Sequence, residues 1–350
     1  MAEPADLQSG RGIVYRDDRL TVVANLTNGA SDLLITFGDM FALAQDDHAW
    51  GEAVGLKAGY DVIAFMAATP HWFPAAAMAP AIARLRPLLD DYRLRICYGG
   101  SMGGYAAIRF SRQLGAHCVL AHVPQFSIDP AEVDDSRYRR HFVAQDHAGM
   151  GIAPQHVAGR ILVISDPGYA PDEQHLERLQ ASLGNRVQRL RLRGVDHKVT
   201  TVLAGSHFLS QSIAYLRGEL PRPALLALAA ALRRSHPEAR PVRWRRILDR
   251  RPGLVVRLLQ GPPLADARLE HEMRLFLHRQ QFRQDRVWDR IRDPIIAACC
   301  ARYGLDLPVE LQPDMLLDDP APVPPPPESV PTSRSRLMQR LRGLLAGRDR

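Results

Sequence analysis

Lysine is almost absent from this 350-residue chain. Lys57 and Lys198 stand alone, so the formal net charge of +7 rests almost wholly on arginine. Cysteine is scarce as well, limited to Cys97, Cys118, Cys299 and Cys300. The first two fall in predicted buried strands and the last two are adjacent in a helical region, which argues against a disulfide framework. No run of about 18 apolar residues occurs, so a transmembrane helix is not expected. The opening residues Met1-Ala2-Glu3-Pro4-Ala5-Asp6 are acidic and lack the basic-then-apolar layout of a signal peptide, so a cytoplasmic setting is the expectation. No internal repeat of solenoid quality is present. No nucleic-acid recognition module is visible either, and the arginines are mixed with Asp and Glu, so the basic charge does not predict a nucleic-acid partner. A biased genomic composition would produce the same arginine excess.

What remains is a chain with 46% hydrophobic residues, suited to a soluble globular protein. Its length allows one large domain and a smaller one. From residue 12 to about 218, short apolar runs alternate with helical patterns. Candidate strands are Gly12–Tyr15, Leu20–Leu26, Leu33–Phe37, Asp61–Met66, Leu94–Tyr98, Cys118–His122, Arg160–Ser165 and Val187–Leu192. Candidate helices are Pro74–Leu89, Gly104–Leu114, Asp172–Leu183 and His197–Leu216. The alternation predicts an α/β fold with a doubly wound, mostly parallel sheet, the first two strands forming an antiparallel hairpin. In such a sheet ligands bind beyond the carboxyl ends of the strands.

Composition shifts at Leu220-Pro221-Arg222-Pro223. From there a C-terminal helical domain is expected over 222–312, then a proline-rich linker over 313–332, then a basic amphipathic helix over 333–350. In that last segment Leu337, Met338, Leu341, Leu344 and Leu345 repeat at helical spacing, and arginines mostly take the other face. Such a tail suits the inner face of an anionic membrane, a partner helix, or plain solvent exposure, and the sequence does not choose among them.

The chemistry concentrates at Gly99-Gly100-Ser101-Met102-Gly103, a G-x-S-x-G pattern with a strand-like run before it and a helical run after it. A serine on a sharp strand-to-helix turn is held clear of the backbone, and glycines beside it let strand and helix approach. A serine hydroxyl is a poor nucleophile at neutral pH. It needs an imidazole to take its proton and a carboxylate to hold that imidazole. In this setting the partners should follow in the order acid, then histidine. His197 stands in a tight loop after the last predicted strand and is the expected base. For the acid there are two candidates. Asp166 ends strand Arg160–Ser165 and is preferred for that position; Asp172 is the alternative, with the plainer reading of a helix N-cap. The oxyanion would be held by the Met102 amide and by the loop Gly38-Asp39-Met40, which follows an early strand. Trp72, after strand Asp61–Met66, is a candidate pocket-lining residue, with His71 beside it.

The ordered set Tyr98-Gly99-Gly100-Ser101-Met102-Gly103-Gly104-Tyr105, then an aspartate, then His197, resembles the α/β-hydrolase superfamily over about residues 12–218. The resemblance implies a serine esterase-like hydrolase with a Ser-His-Asp catalytic triad, an acyl-enzyme intermediate, no metal and no organic cofactor. The chain departs from the family in Ser165-Asp166-Pro167-Gly168, where a G-x-x-D layout is usual, and in lacking a His-Gly-Gly oxyanion signature. Asp129–Ala158, with Tyr138 and His141, is the only candidate cap insert. The expected function is hydrolysis of an ester or thioester acyl group of a small-molecule substrate. Transfer of the acyl group to a sugar or lipid hydroxyl is an alternative, as is a non-catalytic hydrolase-fold scaffold with a basic docking region. Substrate and oligomeric state are not encoded in any motif.

Overall fold

Along the central strands, alternate side chains enter two different apolar clusters, which requires a sheet covered on both faces. Leu33, Ile35 and Phe37 lie in one cluster while Leu34 lies in the other. Val119 and Ala121 alternate in the same way with Cys118 and Leu120, as do Ile161 and Val163 with Leu162 and Ile164. This is the period of two of an extended chain, with apolar residues on both faces because helices cover both. The structure is a computed structural model that describes residues 9–262 and the isolated positions 269, 270, 273, 294, 298 and 301.

The strands are β1 (Arg11–Arg16), β2 (Leu20–Asn25), β3 (Asp32–Phe37), β4 (Asp61–Ala67), β5 (Leu94–Gly100), β6 (Cys118–His122), β7 (Arg160–Ser165) and β8 (Val187–Arg191). They form one eight-stranded sheet in the order β1-β2-β4-β3-β5-β6-β7-β8. β2 runs antiparallel to β1 and to β4, and every later pairing is parallel. The eight strands expected from the apolar runs are therefore all present.

The helices are α1 (Glu52–Lys57), α2 (Ala75–Asp90), α3 (Met102–Arg109), α4 (Ala144–His147), α5 (Ala170–Leu183), α6 (Val199–Val202), α7 (Ser206–Arg217), α8 (Arg222–Ser235), α9 (Ala239–Arg250) and α10 (Pro252–Gln260). Residues of α2, α3 and α5 build the cluster on one face, and residues of α6, α7 and α8 the cluster on the other. The pattern expected to give one helix over His197–Leu216 is broken into α6 and α7, with Gly205 between them at φ 129°. Few side chains adopt that conformation, and the chain uses a glycine there. Among the described residues no helix is long and apolar enough to cross a membrane.

The chain divides into two compact units between Arg246 and Ile247. The expected boundary at residue 222 is thus displaced. Leu225 and Ala229 of α8 are buried in the same cluster as Phe208 and Leu216 of α7. The prolines at the composition shift open a helix: Pro221 is the N-cap of α8 and Pro223 stands in its first turn, where a missing N–H is not needed. Of the second unit, α10 is the continuous described segment, and residues 313–332 and 333–350 lie outside the described residues.

The turn from β5 into α3 depends on side chains that are absent. A Cβ on Gly99 would overlap the backbone of Gly103, and one on Gly103 would overlap the Phe37 carbonyl at the end of β3. The neighbours in both cases are backbone, which cannot swing aside. Gly103→Ala should therefore destabilise the fold by about 1–3 kcal/mol, the usual range for overpacking. A lowered urea midpoint with an unchanged m-value would show it, and a wild-type midpoint would refute the steric reading.

Candidate functional site

All six described non-glycine residues with positive φ follow the carboxyl ends of strands: Asp46 after β3, Trp72 and Phe73 after β4, Ser101 after β5, Val123 after β6 and Asp196 after β8. Conformations of this kind cost on the order of 1–3 kcal/mol each and cluster where a site must be held in shape. Val123 is the sharpest case, because a β-branched side chain adds to the crowding at positive φ. One edge of the sheet therefore carries the strain.

Ser101 stands at its centre, at φ 52° and ψ −119°. Its amide donates to the His122 carbonyl at 2.9 Å, and its carbonyl accepts from the Tyr105 amide at 3.0 Å. These bonds tie the strained residue to β6 on one side and α3 on the other. The ring of His122 lies beneath, both nitrogens without a partner, and burial pulls its pKa down to about 3. It stays neutral and packs edge-on against Tyr98, with ring centroids 5.4 Å apart.

His197 Nε2 is 3.0 Å from Ser101 Oγ, and His197 Nδ1 is 2.9 Å and 2.8 Å from the two oxygens of Asp172. A carboxylate only accepts, so Nδ1 carries the proton toward it and Nε2 is left to accept from the serine hydroxyl. The structure brings Asp172 to the histidine, not the preferred Asp166. The N-cap reading of Asp172 also fails. α5 opens at Ala170 with Tyr169 as its cap, which places Asp172 inside the first turn with its side chain buried. His207, the other histidine of this region, is exposed on α7.

Asp166 has a different task. Its Oδ2 accepts from the amides of Gly194, Val195 and Asp196 at 2.7, 2.7 and 2.9 Å, and Oδ1 accepts from Gly168 at 2.9 Å and from Arg246 at 3.0 Å. Burial pushes its pKa up, but the bonds from Arg246 and from the Gly168, Val195 and Asp196 amides outweigh burial and hold it low. Asp166 thus fastens the loop that ends in His197. Strand-end position made it look like a partner of the imidazole, whereas the carboxylate points into the backbone of that loop.

Behind Asp172 lies a chain of charges that no motif announced. Arg137 donates to Asp172 Oδ1 at 3.0 Å and grips Asp135 through Nε and Nη2. Its guanidinium carbon is 4.9 Å from the Tyr138 ring centroid and 5.4 Å from that of Tyr169. Asp135 also receives Nε2 of the buried His175 at 2.9 Å. Nδ1 of that ring accepts the Phe126 amide at 3.2 Å, so the proton must sit on Nε2. Arg137, Tyr138 and Asp135 belong to the Asp129–Ala158 segment, which therefore braces Asp172.

Gln125, just after β6, was also unmarked in the sequence. It is fully buried. Its Oε1 accepts from Trp72 Nε1 at 3.0 Å, and because an indole N–H can only donate, the amide orientation is settled. Its Nε2 is then a donor, 3.2 Å from Ser101 Oγ and 3.2 Å from Tyr138 Oη. Trp72 is fully buried, its ring 4.9 Å from that of Tyr138. It backs the site rather than lining an open pocket. His71 is spent on structure, with Nε2 2.8 Å from the Arg19 carbonyl and Nδ1 accepting the Phe73 amide.

For the oxyanion, Met102 is the first residue of α3, where the amide has no partner within the helix. The Gly38 amide is not available, since it donates to the Phe65 carbonyl at 3.0 Å and continues the β3–β4 pairing. Asp39, whose Oδ1 caps the amides of Phe41 and Ala42, is the next residue of that loop. The Gly38 carbonyl comes close to Gly103, so this loop lies against the start of α3.

A mostly parallel sheet of this order, with a strained serine on the turn from β5 to α3, defines an α/β-hydrolase fold. No protein-family model matches the chain, and no curated protein sequence does. Solved structures similar to it include the capsule O-acetyltransferase of Neisseria meningitidis serogroup A, at 11% identity and a TM-score of 0.44, covering 58% of this chain and 93% of that one. A serine hydrolase without lid from Xanthomonas campestris shows 14% identity and a TM-score of 0.40 over 61% of this chain and 97% of its own. An α/β hydrolase from a Medee basin deep-sea metagenome library shows 14% identity and a TM-score of 0.41 over 64% and 96%.

The braced carboxylates also set a pH dependence. Burial raises the pKa of Asp135, but the bonds from His175 and Arg137 and the arginine charge prevail and drive it well below the usual carboxylate range. A depressed folded-state pKa stabilises the protein above the unfolded value of about 3.9 and stops doing so as pH falls toward the folded value. Asp135→Asn should thus lower the unfolding midpoint at pH 7, with the gap to wild type narrowing below about pH 4. Urea titrations at pH 7 and pH 3 check this, and a gap that widens in acid would contradict it.

Proposed function

We propose that this protein is a serine hydrolase that cleaves an acyl ester or thioester through Ser101, His197 and Asp172. The observation that carries the reading is the unbroken line of contacts, 3.0 Å from Ser101 Oγ to His197 Nε2 and 2.8 Å from Nδ1 to Asp172. Both distances lie within hydrogen-bond reach of the groups that must exchange a proton.

In the proposed reaction His197 Nε2 takes the hydroxyl proton as Oγ attacks the substrate carbonyl. The amides of Met102 and Asp39 receive the negative charge that develops on the carbonyl oxygen. Asp172 stabilises the imidazolium and keeps its tautomer. His197 then gives the proton to the leaving oxygen or sulfur, which leaves the acyl group on Ser101. Water activated by the same imidazole releases the acid and restores the serine. Gln125, by donating to Oγ, occupies an acceptor site of the hydroxyl and leaves its proton directed at His197. Arg137, donating to Asp172 Oδ1 at 3.0 Å, holds that carboxylate in orientation.

Ser101→Ala should remove esterase activity toward an activated short acyl ester, a loss on the order of 10⁶-fold in kcat, with the thermal transition retained. Undiminished turnover in that variant would end the proposal. The two aspartates separate cleanly. Asp172→Asn should lower kcat by about 10⁴-fold through the wrong imidazole tautomer. Asp166→Asn should act first on stability, by about 1–3 kcal/mol, because it strips acceptors from buried amides. If the larger kcat loss falls on Asp166, the assignment of the acid is wrong.

A further inference from the structure

The three substituents of a tetrahedral carbon formed on Ser101 Oγ have three directions to take. The oxyanion goes toward the amides of Met102 and Asp39, on the β3 side of β5, since β3 and β6 flank β5 on opposite edges. The leaving group must lie by His197 Nε2. His197 arrives from one face of the sheet, because Val195 and Val199 on either side of it pack into the α6–α8 cluster. The acyl chain takes what is left, the β6 side and the opposite face. Trp72 and Tyr138 belong to the cluster on that opposite face, and Gln125 follows β6.

That remaining direction is walled. Gln125 places Nε2 at 3.2 Å and Oε1 at 3.4 Å from Ser101 Oγ, already at contact distance before any substrate is bound. Tyr138, 4% exposed, stands 3.2 Å beyond Gln125 Nε2. Trp72, 0% exposed, locks both, the amide by its indole N–H and the phenol by its ring. Arg137, beside the Tyr138 ring, is itself held by Asp135 and Asp172, so the phenol has a fixed neighbour on that flank too. These side chains are close-packed and hydrogen-bonded, and a chain of several methylenes would have to displace them.

We infer that the acyl side of the site is closed by Gln125, Tyr138 and Trp72 and admits only an acyl group of acetyl size. The inference rests on the serine-hydrolase reading above and narrows its substrate class to short-chain acyl esters, O-acetyl esters foremost. Tyr138 is the gate, since its removal opens space next to Gln125 and beside Ser101, which its hydroxyl also reaches.

The test is kcat/KM for 4-nitrophenyl acetate, butyrate and octanoate with the full chain, in wild type, Tyr138→Ala, Tyr138→Phe and Ser101→Ala. Wild type should prefer acetate, losing about tenfold or more by butyrate and more again by octanoate. Tyr138→Ala should shift the optimum to butyrate or beyond, while Tyr138→Phe, which keeps the ring, should retain the acetate preference. If Tyr138→Ala does not fold, as judged by its thermal transition, the wild-type chain-length profile decides alone. Ser101-dependent turnover that is flat or rises toward octanoate overturns the size inference and leaves the hydrolase reading standing. No Ser101-dependent turnover of any ester overturns both.

Discussion

The structure turns on a steric constraint at one crossing. β5, α3 and the end of β3 meet where a Cβ on Gly99 or Gly103 would collide with backbone. Because that space is empty, the chain can leave the sheet at its carboxyl edge, reverse into α3 within a residue, and hold Ser101 at positive φ. The strain is fixed from both sides by the His122 carbonyl and the Tyr105 amide. The same closeness brings the loop after β3 against the first turn of α3.

Around this crossing the site is held by charge more than by apolar packing. Asp166 gathers three amides of the loop that presents His197, and Arg246 neutralises it. Asp172 is shared between His197 and Arg137, and Arg137 is shared with Asp135, which His175 completes. Each buried carboxylate in this series has several donors, the condition under which a buried charge is tolerable. The arrangement explains why a chain with few motifs outside the serine turn can still hold a well-ordered polar site. The donors come from several separate loops, and the contacts of His197 and Arg137 to Asp172 and of Arg246 to Asp166 join residues 25 or more apart in sequence.

The strands were legible because both faces of the sheet are covered. Runs such as Leu33–Phe37 and Cys118–His122 are apolar at nearly every position, and flanking polar residues mark their ends. Elements governed by a competing influence were less legible. Gly205 split a continuous amphipathic pattern into α6 and α7. Pro221 and Pro223 marked a composition shift and open α8, yet that helix packs with α7 in the first unit, since its burial depends on tertiary contacts. α1, six residues long, was too short for its period to stand out. At the site, the serine turn could be read from local glycines. The choice between Asp166 and Asp172 could not, because both follow the same strand, and only the folded course of the loop and of the first turn of α5 sets which carboxylate faces His197. Gln125 and Arg137 carry no local pattern at all.

The sequence by itself determined the sheet, its two covered faces and the sharp turn at Ser101, because these follow from hydrophobic period and from glycines whose effect is local. Tertiary structure alone decided which aspartate meets His197, that the Gly38 amide is spent on β4, and what fills the space beside Ser101. Those outcomes depend on side chains brought together from the loops after β4, β6, β7 and β8 and from the 129–158 segment. Their meeting is set by the packing of the whole sheet edge, and no window of neighbouring residues contains it.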